Sequence, residues 1–175
     1  KKAGYETQLF LFNAAKMGVP QARERTFFIA RRLDLSLKPF KPVFNEQSIS
    51  VAEACKTIEP NTEEKLISDK LKELWFKVKP GKSFSTVHPK GHCFNMSTVN
   101  PHLPSRTVTA TQGLVYWKKP RYLNSYEIKR IQTFPEDFNF LNTDPCYVMG
   151  MSVPPFMTQR VALEIYNHWF KTKNN

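Results

Sequence analysis

A chain of 175 residues is long enough for one ordinary domain or two small lobes, and 41% apolar with 23% charged residues is a globular composition. No stretch approaches the roughly 18 to 20 consecutive apolar residues of a membrane span, and the first residues lack the apolar core of a secretory leader. Three cysteines at positions 55, 93 and 146, with no CxxC pair, exclude a disulfide framework or zinc ribbon and fit a reducing compartment, while a net charge of +11 favours a polyanionic partner.

The charge is unevenly spread. Residues 1–41 carry a net +6, residues 42–80 a net −1 and residues 123–175 none. Residues 81–122 carry +6 without a single carboxylate, and three histidines besides. With acids at 15 of 175 positions such a gap is improbable by accident, and the segment reads as a nucleic-acid surface. Residue 1 is lysine, so the chain is expected to begin part-way through a longer protein or at a processing or cloning boundary.

In chain order, Thr7-Gln8-Leu9-Phe10-Leu11-Phe12 reads as a strand, and Thr26-Phe27-Phe28-Ile29-Ala30 as a second one buried on both faces. Between them the turn Gly18-Val19-Pro20 leads into Gln21-Ala22-Arg23-Glu24-Arg25. In an extended backbone Gln21, Arg23 and Arg25 share a face. Two guanidiniums and an amide there make a rigid donor array for phosphate oxygens or the carbonyl edge of a base. Lys38-Pro39-Phe40-Lys41-Pro42 breaks regular structure and reads as the exit from a first lobe. Ser50 with Glu53 caps a short helix to Ile58. Asn61-Thr62-Glu63-Glu64 repeats that signature ahead of Leu66, Ile67, Leu71, Leu74, Trp75 and Val78 at helical spacing.

From Pro80 to Ser105 glycine and proline punctuate a polar, loop-rich segment, with Phe84 and Phe94 as its expected core anchors. His88, His92, Cys93 and His102 lie close in sequence, but no second spaced pair completes a tetrahedral set, so no metal site is expected. Arg106-Thr107-Val108-Thr109-Ala110-Thr111 is a β-branched strand with Leu114 to Trp117 as its neighbour. Ser125 caps a helix running to Phe134, and Pro154-Pro155 opens a last helix with Val161, Ala162, Ile165 and Trp169 on one face.

Taken together, these segments resemble the C-terminal portion of the cytosine-C5 DNA methyltransferases. Residues 18–25 look like that family's motif VIII, Ser105-Arg106-Thr107-Val108-Thr109-Ala110 like motif IX, and residues 122–135 like the helix and Phe-Pro turn that follow it. Gly150-Met151-Ser152-Val153-Pro154-Pro155 resembles motif X. The order matches, from residue 4 to about 170. The resemblance implies an α/β piece of a SAM-dependent methyltransferase sheet (residues 1–37), a mixed α+β target-recognition lobe (38–142) and a helix returning to the catalytic lobe (143–175).

It also implies what lies elsewhere. The family's glycine-rich cofactor loop, Pro-Cys-Gln nucleophile and Glu-Asn-Val motif precede motif VIII, and none occurs here; Pro145-Cys146-Tyr147 lacks the glutamine. This chain alone is expected not to methylate, and to need the preceding catalytic half or a complementary subunit. The implied cofactor is S-adenosyl-L-methionine, the partner double-stranded DNA, and the setting a cytoplasmic, bacterial restriction-modification system. By carry-over Arg25 holds the everted cytosine at O2, with Arg23 beside it and Gln21 steadying the strand edge. Met151, where the family usually has asparagine, borders the methionine end of the cofactor with Ser152 and Val153. Lys82, Lys90, Lys118, Lys119 and Arg121 are candidates for phosphate contacts. Ser83, Ser85, His88, His92, Asn95, Ser97, Thr98 and Asn100 are candidates for base edges, and Arg106 is expected to be structural. Competing readings are a non-enzymatic DNA-binding descendant of the family, a tRNA cytosine-C5 methyltransferase part and, least of all, a basic ribosomal-type protein.

Overall fold

The computed structural model describes residues 3–58 and 64–171. The first unit is an antiparallel ribbon of β1 (Tyr5–Asn13) and β3 (Glu24–Arg32), in register from Tyr5 opposite Arg32 to Asn13 opposite Glu24. Alternation puts Phe10, Phe12, Phe27 and Ile29 on one face, where they meet Ala14, Met17, Val19, Phe40, Met157 and Val161. The other face is open. Leu9, its partner Phe28 and Leu11 are 63%, 73% and 66% exposed, which corrects the expectation of a strand buried on both sides.

Segment 38–48 is not an exit from this unit. The Phe40 N–H donates to Gln8 Oε1 at 2.7 Å, Gln8 Nε2 donates back to the Phe40 carbonyl at 3.1 Å, and the ring is buried against Phe10. The C-terminal π turn Tyr166–Phe170 clasps the same stretch through Trp169 Nε1, which donates to the Lys38 carbonyl at 2.9 Å. A proline-rich run thus folds back because its aromatic side chains, Phe40 and then Phe44, have a core to enter.

The second unit is built from α1 (Val51–Ala54), α2 (Asp69–Trp75), three two-residue strands β4 (Ser97–Thr98), β5 (Ser105–Arg106) and β6 (Leu114–Val115), and α3 (Ser125–Ile131). Ser50 caps α1 as expected, accepting the Glu53 N–H at 3.2 Å. The cap signature at residues 61–63 lies outside the described residues, and α2 begins only at Asp69. β6 pairs in parallel with β4, while β5 pairs in parallel with β2 (Gln21–Ala22) of the first unit, so residues 105 and 115 belong to different sheets and not to one hairpin. Asn124, not Ser125, caps α3: its side chain accepts the Glu127 N–H and Glu127 returns the bond to the Asn124 N–H.

A helix that periodicity did not announce, α4 (Pro145–Met151), follows with Asp144 as its cap. It is seven residues long and packs through Met149 into the core of Val51, Val99, Val108, Leu123, Ile128 and Ile131. α5 (Pro155–Ile165) then crosses back into the first unit through Met157 and Val161. Two special positions fix this crossover. A Cβ on Gly150 would run into the Thr109 carbonyl, so only glycine lets α4 lie against that loop. Thr133, at the Phe-Pro turn, sits at φ +58°, a rare conformation for a β-branched residue, and its hydroxyl accepts the Phe156 N–H at 3.1 Å.

Gly150→Ala should therefore force α4 and the Thr109 loop apart and lower stability by about 1–3 kcal/mol. An unchanged midpoint in urea unfolding would show that the contact is not needed.

Candidate nucleic-acid and cofactor interface

The donor array read from residues 21–25 is real in sequence and divided in space. Gln21 and Arg23 point inward. Arg23 is 1% exposed: Nη1 donates to the Val108 carbonyl at 2.6 Å and Nη2 to the Gly150 carbonyl at 2.8 Å. Gln21, fully buried, accepts the Val108 N–H at 3.1 Å, and Gln132 of α3 donates to the Met149 carbonyl at 2.5 Å. One cation and two amides thus tie the motif VIII segment, the motif IX segment and the end of α4. Burial, and then the like charge of Arg25, push the Arg23 pKa down to about 10, which leaves it cationic at neutral pH. This corrects the expectation that Arg23 reaches out to a nucleotide beside Arg25: its two Nη groups are taken by backbone carbonyls that would otherwise be buried without partners, while Gln21, expected to steady the strand edge, holds the Val108 N–H.

Arg25 is different. It is half-exposed on β3, and the hydrogen bond its side chain makes is with its neighbour's Glu24 carbonyl at 2.7 Å. That leaves most of its planar fork for a ligand.

At the end of α4 the Ser152 hydroxyl donates to the Val148 carbonyl at 2.6 Å, which leaves its lone pairs free to accept. Met151 is 65% exposed and Val153 is exposed beside it. An apolar surface with one acceptor suits the methylene chain and ammonium of an amino-acid cofactor tail.

In the second unit the carboxylate-free segment is only partly a surface. Arg121 is buried, bidentate on Glu127 at 2.8 Å on both arms, near Glu64 and 4.0 Å from the centroid of the Tyr116 ring. The Glu127 hydrogen bond raises its pKa, and it is structural and not a phosphate ligand. Lys119 pairs with the same Glu64 at 3.0 Å but stays exposed, as do Lys82, Lys90 and Lys118. Ser97 and Thr98 are buried in β4, with the Thr98 hydroxyl on the Lys79 carbonyl, so neither reads a base. Ser83 and Ser85 are bonded to each other, and Ser83 caps a 3-10 turn. His88 and His92 stack with centroids 5.0 Å apart, and Nδ1 of His88 accepts from the Lys90 and His92 backbone. No metal-holding group of side chains occurs among the described residues.

Arg106 reverses expectation. Its backbone pairs with Ala22, but its side chain is exposed and lines a cleft of about 310 Å3 with Ala22, Asn95, Thr107 and Phe94. Phe94, expected as a core anchor, is 70% exposed at that cleft. Phe84 alone of the two aromatic rings is buried. No sequence signal separates them: both stand in the same loop-rich stretch, and the fold of that stretch decides which one enters the core.

Two measurements test these assignments. Replacing Arg23 with lysine, which can reach one carbonyl at most, should cost about 3 kcal/mol in denaturant unfolding; a loss under 0.5 kcal/mol would remove its structural role. Burial, with Glu127 adding to it, raises the Cys55 pKa from 9.0 to about 12. A thiol that stays neutral in the fold but ionises on unfolding makes the protein less stable as pH rises above 9. The rate of Cys55 alkylation should still be climbing at about pH 11, where a free thiol has levelled off.

The whole arrangement has relatives. Residues 1–167 match the family described as C-5 cytosine-specific DNA methylase. The chain is 29% identical to the type II methyltransferase M.NgoFVII of Neisseria gonorrhoeae over 181 residues, 89% of this chain and 48% of the relative. It is likewise 29% identical to the type II methyltransferase M.BbvI of Brevibacillus brevis, over 88% of this chain and 47% of the relative. The chain thus spans about half the length of these relatives. Its fold is similar to that of a mutant of Spodoptera frugiperda DNMT2, with a TM-score of 0.67 at 17% identity, over 94% of this chain and 59% of the other. No described helix is long and apolar enough to cross a membrane. With a family match over nearly its full length, the chain belongs to the C-5 cytosine-specific DNA methylases.

Proposed function

We propose that this chain is the DNA-gripping and cofactor-closing portion of a DNA cytosine-C5 methyltransferase of restriction-modification type, acting with a catalytic region that carries the cysteine nucleophile and the glycine-rich cofactor loop. The observation that carries this reading is the divided arginine pair. Arg23, in the break between β2 and β3, locks three family segments into one junction, and Arg25, two residues on in β3, keeps most of its guanidinium available. The open face of the β1–β3 ribbon supports the need for a companion. A two-stranded ribbon with Leu9, Leu11 and Phe28 in water is marginal by itself, and further sheet and helix would cover it.

The reaction requires cytosine outside the duplex, because C5 and C6 are shielded within the stack. A thiolate from the companion region adds to C6, and loss of the C5 proton later restores the ring and frees the thiolate. Bound S-adenosyl-L-methionine supplies the methyl group, and Met151, Ser152 and Val153 border its amino-acid end. Arg25 donates to the cytosine O2, which fixes the base and stabilises the negative charge that develops on the ring as the thiolate adds. The exposed Lys82, Lys90 and Lys118 contribute phosphate contacts, with Lys119 alongside. His88, His92, Asn95 and Asn100 are the remaining candidates for base edges.

The test is methyl transfer to duplex DNA by this chain joined to its catalytic region. Arg25→Ala should lower turnover about 100-fold while changing DNA affinity far less. Arg25→Lys should recover little, since an ammonium lacks the planar fork. Unchanged turnover in the alanine variant would remove the role, and preferred methylation of tRNA over duplex DNA would replace the substrate.

A further inference from the structure

Resting on the reading of Met151, Ser152 and Val153 as the edge against the cofactor's amino-acid end, we propose that Gln132, with Thr133 beside it, is a positioning residue for that edge. The two residues stand at the end of α3 and hold the link between α4 and α5 from both sides. They thereby set how tightly the amino-acid tail of S-adenosyl-L-methionine is bound.

The link needs support from outside. Met151 and Val153 are exposed, so packing does little to fix them. The last carbonyls of a helix have no partner within it, yet three at the end of α4 are held, each by a different group. The Val148 carbonyl accepts from the Ser152 hydroxyl at 2.6 Å, that of Met149 from Gln132 Nε2 at 2.5 Å, and that of Gly150 from Arg23 Nη2 at 2.8 Å. At the other end of the link the Phe156 N–H, in the first turn of α5, donates to the Thr133 hydroxyl at 3.1 Å. That hydroxyl in turn donates to the Gln132 carbonyl at 2.7 Å. Consecutive residues thus anchor positions 149 and 156, and the cofactor edge is strung between them.

Stability alone does not explain either residue. Gln132 is fully buried, and its Oε1 has no partner among the described residues, a desolvation cost that an apolar side chain of similar size would not carry. Its neighbours Ile128 and Ile131 fill the same region with apolar groups. Thr133 is held at φ +58°, a conformation that opposes a β-branched side chain. An unmet amide oxygen and a strained backbone therefore stand side by side, and both serve one geometric result. They fix the direction in which the chain leaves α4 and enters α5.

The experiment measures binding by calorimetry to the complete methyltransferase, with two ligands. One is S-adenosyl-L-methionine, and the other is methylthioadenosine, which keeps the nucleoside and the sulfur but lacks the amino-acid tail. Gln132→Met preserves the length of the side chain and removes the N–H. It should weaken S-adenosyl-L-methionine about tenfold, the effect of one hydrogen bond, and leave methylthioadenosine unchanged. Thr133→Ala removes the hydroxyl while easing the backbone strain, so it should show the same selectivity, and it decides the matter if the methionine variant does not fold. Ser152→Ala is the control for the edge itself. An equal loss on both ligands overturns the proposal, because a general loosening of the fold does not single out the tail. So does unchanged binding in the Gln132 and Thr133 variants where Ser152→Ala weakens only the ligand with the tail. Selectivity in none of the three variants would remove the cofactor edge, and this inference with it.

Discussion

One buried guanidinium organises this protein. Arg23 donates to the carbonyls of Val108 and Gly150, residues 85 and 127 positions away, and no other contact joins the motif VIII segment to both at once among the described hydrogen bonds. Charge-assisted bonds to backbone are about twice as strong as neutral ones, and a carbonyl stripped of such a donor in a dry site carries its full desolvation cost. The geometry therefore allows few alternatives. If the Thr107–Thr109 stretch or the end of α4 shifts, a cation is left buried without partners. That constraint turns three loosely structured segments, with only two-residue strands between them, into one rigid body.

Rigidity at the junction is what lets the exposed groups act. Arg25 sits two residues along the chain from Arg23, at the start of β3, so its position is inherited from the buried lock, yet most of its own fork is not spent on the fold. Met151, Ser152 and Val153 begin one residue after the Gly150 carbonyl that Arg23 holds. The groups proposed to meet the base and the cofactor edge are thus referenced to the same cation. The Arg121–Glu127 pair performs the parallel task in the second unit. It is buried and bidentate, its glutamate also completes the capping box of α3, and removing either partner would strand a charge beneath the cationic surface.

The sequence made the elements legible where hydrophobic period and caps agree. β1, β3, the Ser50 cap and the proline start of α5 are examples, and so is the family itself, because ordered motifs are a pattern of residue types. What it left hidden is direction. Arg23 and Arg25 are chemically identical and two residues apart, yet one is spent on buried carbonyls and the other stays half-exposed with most of its fork unused. Arg121 and Arg106 exchange their expected roles for a related reason: whether an arginine is a ligand or a tie depends on what the folded surroundings present to it. Here they present Glu127 of the following helix to Arg121, and no hydrogen-bond partner among the described residues to the side chain of Arg106. Phe84 and Phe94 repeat the lesson with aromatic rings.

The open ribbon face sets the energetic scale for association. Fully covering Leu9, Leu11 and Phe28 would contribute about 1.5–3 kcal/mol each. Even with a large discount for partial exposure and for compact unfolded chains, that is a sizeable share of the 5–15 kcal/mol that holds a domain together. An unpaired strand edge adds unsatisfied backbone donors and acceptors to the same surface. The ribbon carries the last member of the array, Arg25 on β3, so whatever steadies the ribbon also determines how firmly Arg25 is held. Association and the proposed chemistry are for that reason coupled through β3: a companion surface that stabilises the ribbon would also sharpen the geometry of Arg25, the guanidinium proposed to meet a base.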